Sequence, residues 1–403
     1  MCSVLLPLPD TIMAIRRSAP IALALLAAAT SACRTHSIDH STSLVSWTIS
    51  EEPVLTIGEI EGEPEYLFGR VGDATRLSDG TIVVTDYGAK EVRQYDPNGR
   101  FIRSVGSVGE GPGQFDTPFH VQKLGGDFVV FDAQYDRYVR FRADGSHVDT
   151  IILQPADVEP PAPSPFQIVD STLFAYAGTL LMRYDDTGFL MEDTVRYFHY
   201  DVDGALLGTI SKVAASQRWG VNSGGVVAFP QVPFYSSPSG VASNGRFFFG
   251  SGRVPVVDVW TNDGKQVARI EWHEPIRHVD AALRRQFENY IRSEYPPGSR
   301  NHDRYEQYLN ETYYPDSLPV YDDMLADPGV GVWIKRYSVP WDERNEWTVI
   351  SAPAGQPPVG PTAEVSLPDR FKPLEVGPEY VLGVRIDEEG YQRIQVSHLT
   401  RTG

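Results

Sequence analysis

The sequence predicts an all-β fold in which one four-stranded unit is repeated around a ring, and three observations carry that prediction. The first is self-similarity: LSDGTIVVTDYGAKEVRQYDPNGRFIRSVG (Leu77 to Gly106) aligns with LGGDFVVFDAQYDRYVRFRADGSHVDTIIL (Leu124 to Leu153). The second is local. Each copy alternates apolar and polar residues with period two, the signature of strands, and carries a tight Asx-Gly turn at Gly99 or Gly145. The third is recurrence. The same turn returns at Gly204 and Gly264, and more weakly at Gly355, at intervals of 46, 59, 60 and 91 residues counted from Gly99. A period near 45 with four strands per unit is that of a β-propeller.

The chain has 403 residues. Near its start, Arg16 and Arg17 precede SAPIALALLAAATSAC, an apolar run shorter than the ~20 residues of a membrane span that ends in small residues. This predicts a secretory leader over 1–32. Thr30-Ser31-Ala32-Cys33 resembles the bacterial lipobox, which implies that Cys33 is lipidated and becomes the new N-terminus, with Thr30 standing where leucine is usual. The pattern predicts an exported protein anchored by an acyl chain to the cell envelope, on an outer membrane or periplasmic face in a two-membrane cell. Residues 33–52 read as a polar tether and 53–403 as the propeller. The second cysteine, Cys2, lies within the leader, so no disulfide is expected in the mature chain. A formal charge of −18 excludes nucleic acid as a natural partner.

The end of the chain sets the number of units. YVLGVRIDEEGYQRIQVSHL places two strands around Gly390, at the turn between second and third strands, so the last unit lacks a fourth. VLTIGEI (Val54 to Ile60) fits that vacancy, which predicts six blades closed by an N-terminal strand. Between the first two copies lies GSVGEGPGQFDTPFHV (Gly106 to Val121). No helix pattern and no Lys-Ser/Thr follow it, so it is not a phosphate cradle. Its Gly109, Gly111, Pro112, Gly113, Phe115 and Pro118 resemble the inter-blade signature of NHL-type six-bladed propellers. With the terminal VLGV…DEEG…IQVSHL, the chain looks like a group of bacterial lipid-anchored propeller proteins. The resemblance implies a fold and no particular activity.

An insertion over about 274–325 interrupts the repeats between the fourth and fifth blades. VDAALRRQFENYIRSEY (Val279 to Tyr295) predicts a helix, with Leu283, Phe287 and Ile291 on one side and Pro296 as its stop. A shorter helix is expected over His302 to Asn310. Seven tyrosines between Tyr290 and Tyr321 form either a recognition surface or packing against the propeller.

Motifs for chemistry are sparse. The sequence holds no G-x-S-x-G, S-x-x-K or H-E-x-x-H. His36 and His40 lie in the tether, and DVDG (Asp201 to Gly204) opens like a calcium loop without the closing acid. Residues expected at the channel mouth are Asp86, Tyr87 and Lys90, then Asp116 and His120 at the first crossing, Asp132, Tyr135 and Arg137, Arg253, and Arg336. Of these, Asp86, Lys90, His120, Asp132, Arg137, Arg253 and Arg336 are the candidate ligand contacts. Asp86 and Asp132 occupy equivalent places in two copies, as a turn-capping carboxylate would. The function this favours is non-catalytic recognition or scaffolding, with an envelope protein, a polar small ligand or a glycan as partner. One alternative is a calcium- or zinc-dependent hydrolase, lactonase or lyase with Asp86, His120 and Asp132 among its ligands. Another is a carbohydrate or cell-wall module. If the leader reading holds, the wild-type protein partitions into the detergent phase of a Triton X-114 extract, and Cys33→Ser moves it to the aqueous phase. Aqueous partitioning of both would refute the anchor.

Overall fold

A computed structural model describes residues 35–37, 44–154, 164–169, 172–185, 188–223, 226–228, 232–236, 239–342 and 344–401, with backbone alone for 35–37, 164–194 and 211–228 within those spans. The expected leader, Cys33 and His40 lie outside the described residues. Three strands precede the repeats: β1 (Thr35–Ser37), β2 (Val45–Ile49) and β3 (Leu55–Ile57). The first meander follows, β4 (Val71–Arg76), β5 (Ile82–Asp86), β6 (Glu91–Tyr95) and β7 (Phe101–Val105), antiparallel and in chain order. A short parallel pair, β8 (Ser107–Val108) and β9 (Gln114–Phe115), makes the glycine-rich crossing. The second meander is β10 (Pro118–Leu124), β11 (Asp127–Asp132), β12 (Arg137–Arg142) and β13 (His147–Ile151).

The third sheet has longer strands, β14 (Ser164–Val169), β15 (Thr172–Asp185), β16 (Gly188–Tyr200), β17 (Leu206–Ser223) and β18 (Val226–Ala228). The fourth contains β19 (Ser239–Ser243), β20 (Arg246–Gly250), β21 (Val256–Thr261) and β22 (Gln266–Glu271), with β1 added parallel to β22. Two helices intervene, α1 (Ala281–Glu294) and α2 (His302–Glu311). Then come β23 (Tyr321–Asp327), β24 (Gly331–Arg336), β25 (Glu346–Ser351) and β26 (Gly360–Ser366), and finally β27 (Phe371–Val376), β28 (Tyr380–Ile386) and β29 (Gln392–Thr400). The first strands of the units touch in a closed circuit, β4 to β10, β14, β19, β23, β27 and back to β4.

The turns that revealed the repeat need glycine for a conformational reason. Gly99, Gly145, Gly204, Gly264, Gly355 and Gly390 all have φ between 70° and 90°, where a side chain is strained. The glycine-rich crossing is a corner of the same kind. Gly106 has φ 71°, and a Cβ there would lie 2.5 Å from the Phe115 ring. Phe115 is thereby driven into the seam between the first two sheets, among Val83, Val92, Val105, Val121, Phe128 and Val139. Comparable apolar clusters fill each following seam, and the last returns to the first: Leu382, Ile394 and Val396 pack against Ile82, Val84 and Tyr95.

Two departures from the sequence reading concern boundaries. The stretch read as tether to residue 52 contains β2, whose Val45–Trp47 pairs parallel with β26 while Thr48 and Ile49 pair antiparallel with β29. Alternation of apolar and polar residues over only five positions is too short to stand out in a polar segment. The insertion read as ending near 325 ends earlier, because Tyr321 already pairs with Arg336 in the fifth meander. β3 pairs antiparallel with β29, where the unit pattern left a vacancy.

The N-terminal strap is also fastened by side chains. Trp47 packs edge-on to Trp333 at 6.1 Å, and the Arg401 guanidinium lies 5.1 Å above the Trp47 ring. Arg401 Nη2 reaches the buried Asp327 carboxylate at 2.9 Å, and Trp333 Nε1 donates to the same group at 2.9 Å. Arg401→Leu strands a buried charge, so a loss of about 3–5 kcal/mol is expected in urea unfolding. A loss below about 1 kcal/mol would show that the carboxylate is not held by this arginine.

Candidate functional site

Asp86 and Asp132 close their second strands, and both are wholly buried. Asp86 accepts the backbone N–H groups of Gly69, Arg70 and Ala89 at 2.7, 2.8 and 3.0 Å. Asp132 accepts those of Thr117 at 3.0 Å and of Asp116 and Gln134 at 3.3 Å. Each carboxylate thus pins the crossing into its own sheet to the turn that leaves it. Arg137 works on the same crossing. Its Nη1 donates to Glu110 O at 2.8 Å and its Nη2 to Gln114 O at 2.9 Å, while the guanidinium stacks on Tyr135 at 4.8 Å.

Lys90 forms an exposed ion pair with Asp116 at 2.6 Å, and His120 Nδ1 sits 3.4 Å from Asp73 Oδ2. Tyr87 packs on Phe119 at 5.3 Å. Among the described residues, no three His, Cys, Asp or Glu side chains are grouped as metal ligands.

Arg253 and Arg336 are brought together. They line a cleft of about 370 Å³ between the fourth and fifth meanders, with Glu274, Arg277, Arg344 and Glu346. The residue that ends the second strand and pairs with the start of the first is Asp86 or Asp132 in the first two sheets, Gly250 in the fourth and Arg336 in the fifth. The crossing into the fifth sheet is the long excursion through α1 and α2, whose limbs join by a bridge between His278 and Ser317 and by Leu318 N–H donating to Arg277 O at 2.8 Å. Gly250 is required on packing grounds, since a Cβ there would lie 1.7 Å from the Tyr321 hydroxyl.

Arg277 is fixed from below: Nη2 donates to Tyr337 O at 2.8 Å and Pro319 O at 3.2 Å. Burial holds its pKa below the ordinary guanidinium value, with Arg336 and Arg344 adding like charge and Glu274 opposing them. Arg336 lies 2.8 Å from Glu274 and 3.6 Å from Glu346, and Arg344 pairs with Asp342. Beside these charges the cleft is apolar, with Val254, Pro255, Ile276, Leu318 and Val320 in its walls. A smaller hollow of about 90 Å³ adjoins it through Arg253 and Ser317–Pro319, reaching Val232 and Phe234.

The sequence pointed to Arg253 and Arg336 but missed Arg277, Arg344, Glu274 and Glu346. The available signal was the pair of short charged stretches flanking the helices, HEPIRH and WDERNEW. The tyrosines of the insertion divide in role. Tyr308 is buried with Phe287 and Leu309 against Val232 and Phe234, Tyr295 and Tyr305 stack at 3.7 Å, and Tyr313 is exposed.

No family model matches the chain. No curated protein matches it either. Solved structures that resemble it include an exported-protein candidate from Bacteroides fragilis, at 10% identity over 90% of this chain and 100% of that one with a TM-score of 0.47. A member of the DUF4221 family from Bacteroides vulgatus gives 12%, 89%, 100% and 0.48 for the same measures. Virginiamycin B lyase from Staphylococcus aureus gives 10%, 83%, 96% and 0.37. Likeness at this level transfers no activity, ligand or residue role to this chain.

Two predictions arise from the carboxylates. Asp86→Ala leaves three backbone donors without their acceptor, and about 1–3 kcal/mol of stability is expected to be lost with no loss of ligand binding at the cleft. Loss of binding at unchanged stability would make Asp86 a contact residue. Asp322, the bulged residue of β23, has its pKa pushed by burial from 3.8 up to about 6, with Lys335 opposing and Asp323 reinforcing the rise. The folded state therefore holds this proton more tightly than the unfolded chain. Its destabilising effect is absent below pH ~4, grows as pH rises to ~6, and is complete above. Asp322→Asn should raise stability at pH 7 by on the order of 2 kcal/mol and flatten the profile between those limits. A profile unchanged from wild type would place the titrating group elsewhere.

Proposed function

We propose that this protein is an exported, lipid-anchored recognition module built on a six-bladed β-propeller, and that its ligand site is the cleft between the fourth and fifth blades. The ring reading is supported by the closed circuit of first strands and by β3 completing the last sheet. The recognition reading rests on a single observation. Four guanidinium groups, from a second-to-third-strand turn, the insertion, the end of β24 and the turn before β25, converge on one concave wall beside apolar side chains. Convergent polar groups in a largely apolar hollow of a few hundred Å³ are the usual form of a ligand site. No side chain in that wall is paired as nucleophile and base. Among the carboxylates that a metal-dependent alternative would use, Asp86 and Asp132 are engaged by backbone N–H groups.

The natural occupant is a polar group of the envelope, either a small molecule or the end of a protein or glycan. Ser338 lines the cleft and is half-buried. A Trp at that position adds bulk to the wall of the cleft. Thermal-shift titration with muropeptides, wall glycans and free peptide termini should raise the Tm of the wild type for at least one class, and Ser338→Trp should abolish that shift. A ligand that stabilises both proteins equally binds elsewhere and would refute the cleft as the site.

A further inference from the structure

The charge of the cleft runs against that of the molecule. The chain carries a formal charge of −18, yet Arg253, Arg277, Arg336 and Arg344 meet here opposite only Glu274 and Glu346 among the lining residues. The arginines are not equivalent. Arg277 is oriented by two backbone carbonyls through Nη2, and its Nε and Nη1 have no protein partner among the described residues. With Nη2 committed to the two carbonyls, Nη1 and Nε remain as separately directed donors on a guanidinium that is held in place and partly desolvated, able to give an anion single charge-assisted hydrogen bonds.

Arg336 is the opposite case. Its side chain is 46% exposed, and its partners Glu274 and Glu346 are 25% and 40% exposed. Pairs of this kind contribute little, so an incoming anion displaces Glu274 or Glu346 from Arg336 at small cost. The two glutamates also limit the charge the site accepts. They offset part of the positive field and repel a multiply charged anion more than a singly charged one. The rest of the wall specifies the remainder of the ligand. Ile276 is 72% exposed and Val254 50% exposed, an unusual amount of aliphatic surface to leave open beside arginines. With Pro255, Leu318 and Val320 they supply the apolar part of the lining.

We propose that the cleft binds an organic carboxylate carried on an apolar skeleton, the carboxylate held between Arg277 and Arg336 and the skeleton lying along Val254, Ile276 and Leu318. This inference rests on the cleft being the ligand site and adds the chemical class. A ligand of that class buries its apolar body and exchanges the carboxylate's water for hydrogen bonds from two guanidinium groups in a space of about 370 Å³.

The test is calorimetric titration of the full mature chain, carrying Cys33→Ser for solubility, with octanoate, octanamide and octyl phosphate at pH 7 and low salt. Octanoate is expected to bind, with octanamide at least tenfold weaker and octyl phosphate no tighter than octanoate. Arg277→Gln should weaken octanoate by at least tenfold. Arg336→Gln should weaken it severalfold with an unchanged urea midpoint, and this exposed position decides the matter should Arg277→Gln fail to fold. Equal binding of octanamide and octanoate, abolished in both by Ser338→Trp, overturns the carboxylate class while leaving the cleft as the site. Octyl phosphate binding more than tenfold tighter overturns it in favour of phosphate. Failure of all three probes to bind, or octanoate binding unaffected by Arg336→Gln, also overturns it.

Discussion

A sheet that ends on an unpaired strand exposes a row of backbone donors and acceptors, and the last sheet of this chain reaches its end one strand short. The architecture depends on how that edge is sealed. β3 pairs with β29 from the outer side, and Ile57 enters the seam between the last sheet and the first. β2 reaches further, pairing with β26 through Val45–Trp47 and with β29 through Thr48 and Ile49, so one short strand joins two sheets. The Asp327–Arg401 pair and the two tryptophans then fasten this strap to the fifth sheet. β2 and β3 thus close the structure against β26 and β29, and the other seams are free to be repeats of one another.

Within that frame, one residue position is filled differently from sheet to sheet. At the end of the second strand a buried aspartate gathers the N–H groups of the preceding crossing and holds it flat against the turn. Gly250 and Arg336 stand at the matching positions of the fourth and fifth sheets, which flank the concavity. Tyr321 fills the space above Gly250, and Phe287, Tyr308 and Leu309 bury the helices against Val232 and Phe234.

Much of the fold was legible because its signals are local. Glycines at φ near +80° mark each hairpin, alternation marks each strand, and the count from Gly355 to Gly390 shows a missing fourth strand. α1 was legible from a repeat of apolar residues every four positions and is capped by Asp280, which accepts from Leu283 N–H at 2.8 Å. The strap β2 was not legible, because five residues in a polar segment carry too little pattern. The candidate cleft was half legible. Asp86 and Asp132 stand at equivalent positions of two copies, and Arg253 and Arg336 were expected at the channel mouth from their places beside the turns. Arg277 and Arg344 carried no such mark, since they lie in stretches with no repeat to depart from.

The amino-acid sequence by itself determined the repeating unit, its turns, the closing strand's pairing place and the position of the helical excursion, because each depends on the conformational preferences of a few neighbouring residues. Only the tertiary structure decided which side chains share a site. Arg253, Arg277, Arg336 and Arg344 are separated by 24, 59 and 8 positions along the chain and come together only when two sheets and an insertion are docked side by side. Convergence of that kind leaves no periodic trace, since it is set by long-range packing in the seam around Tyr321 and not by any local rule.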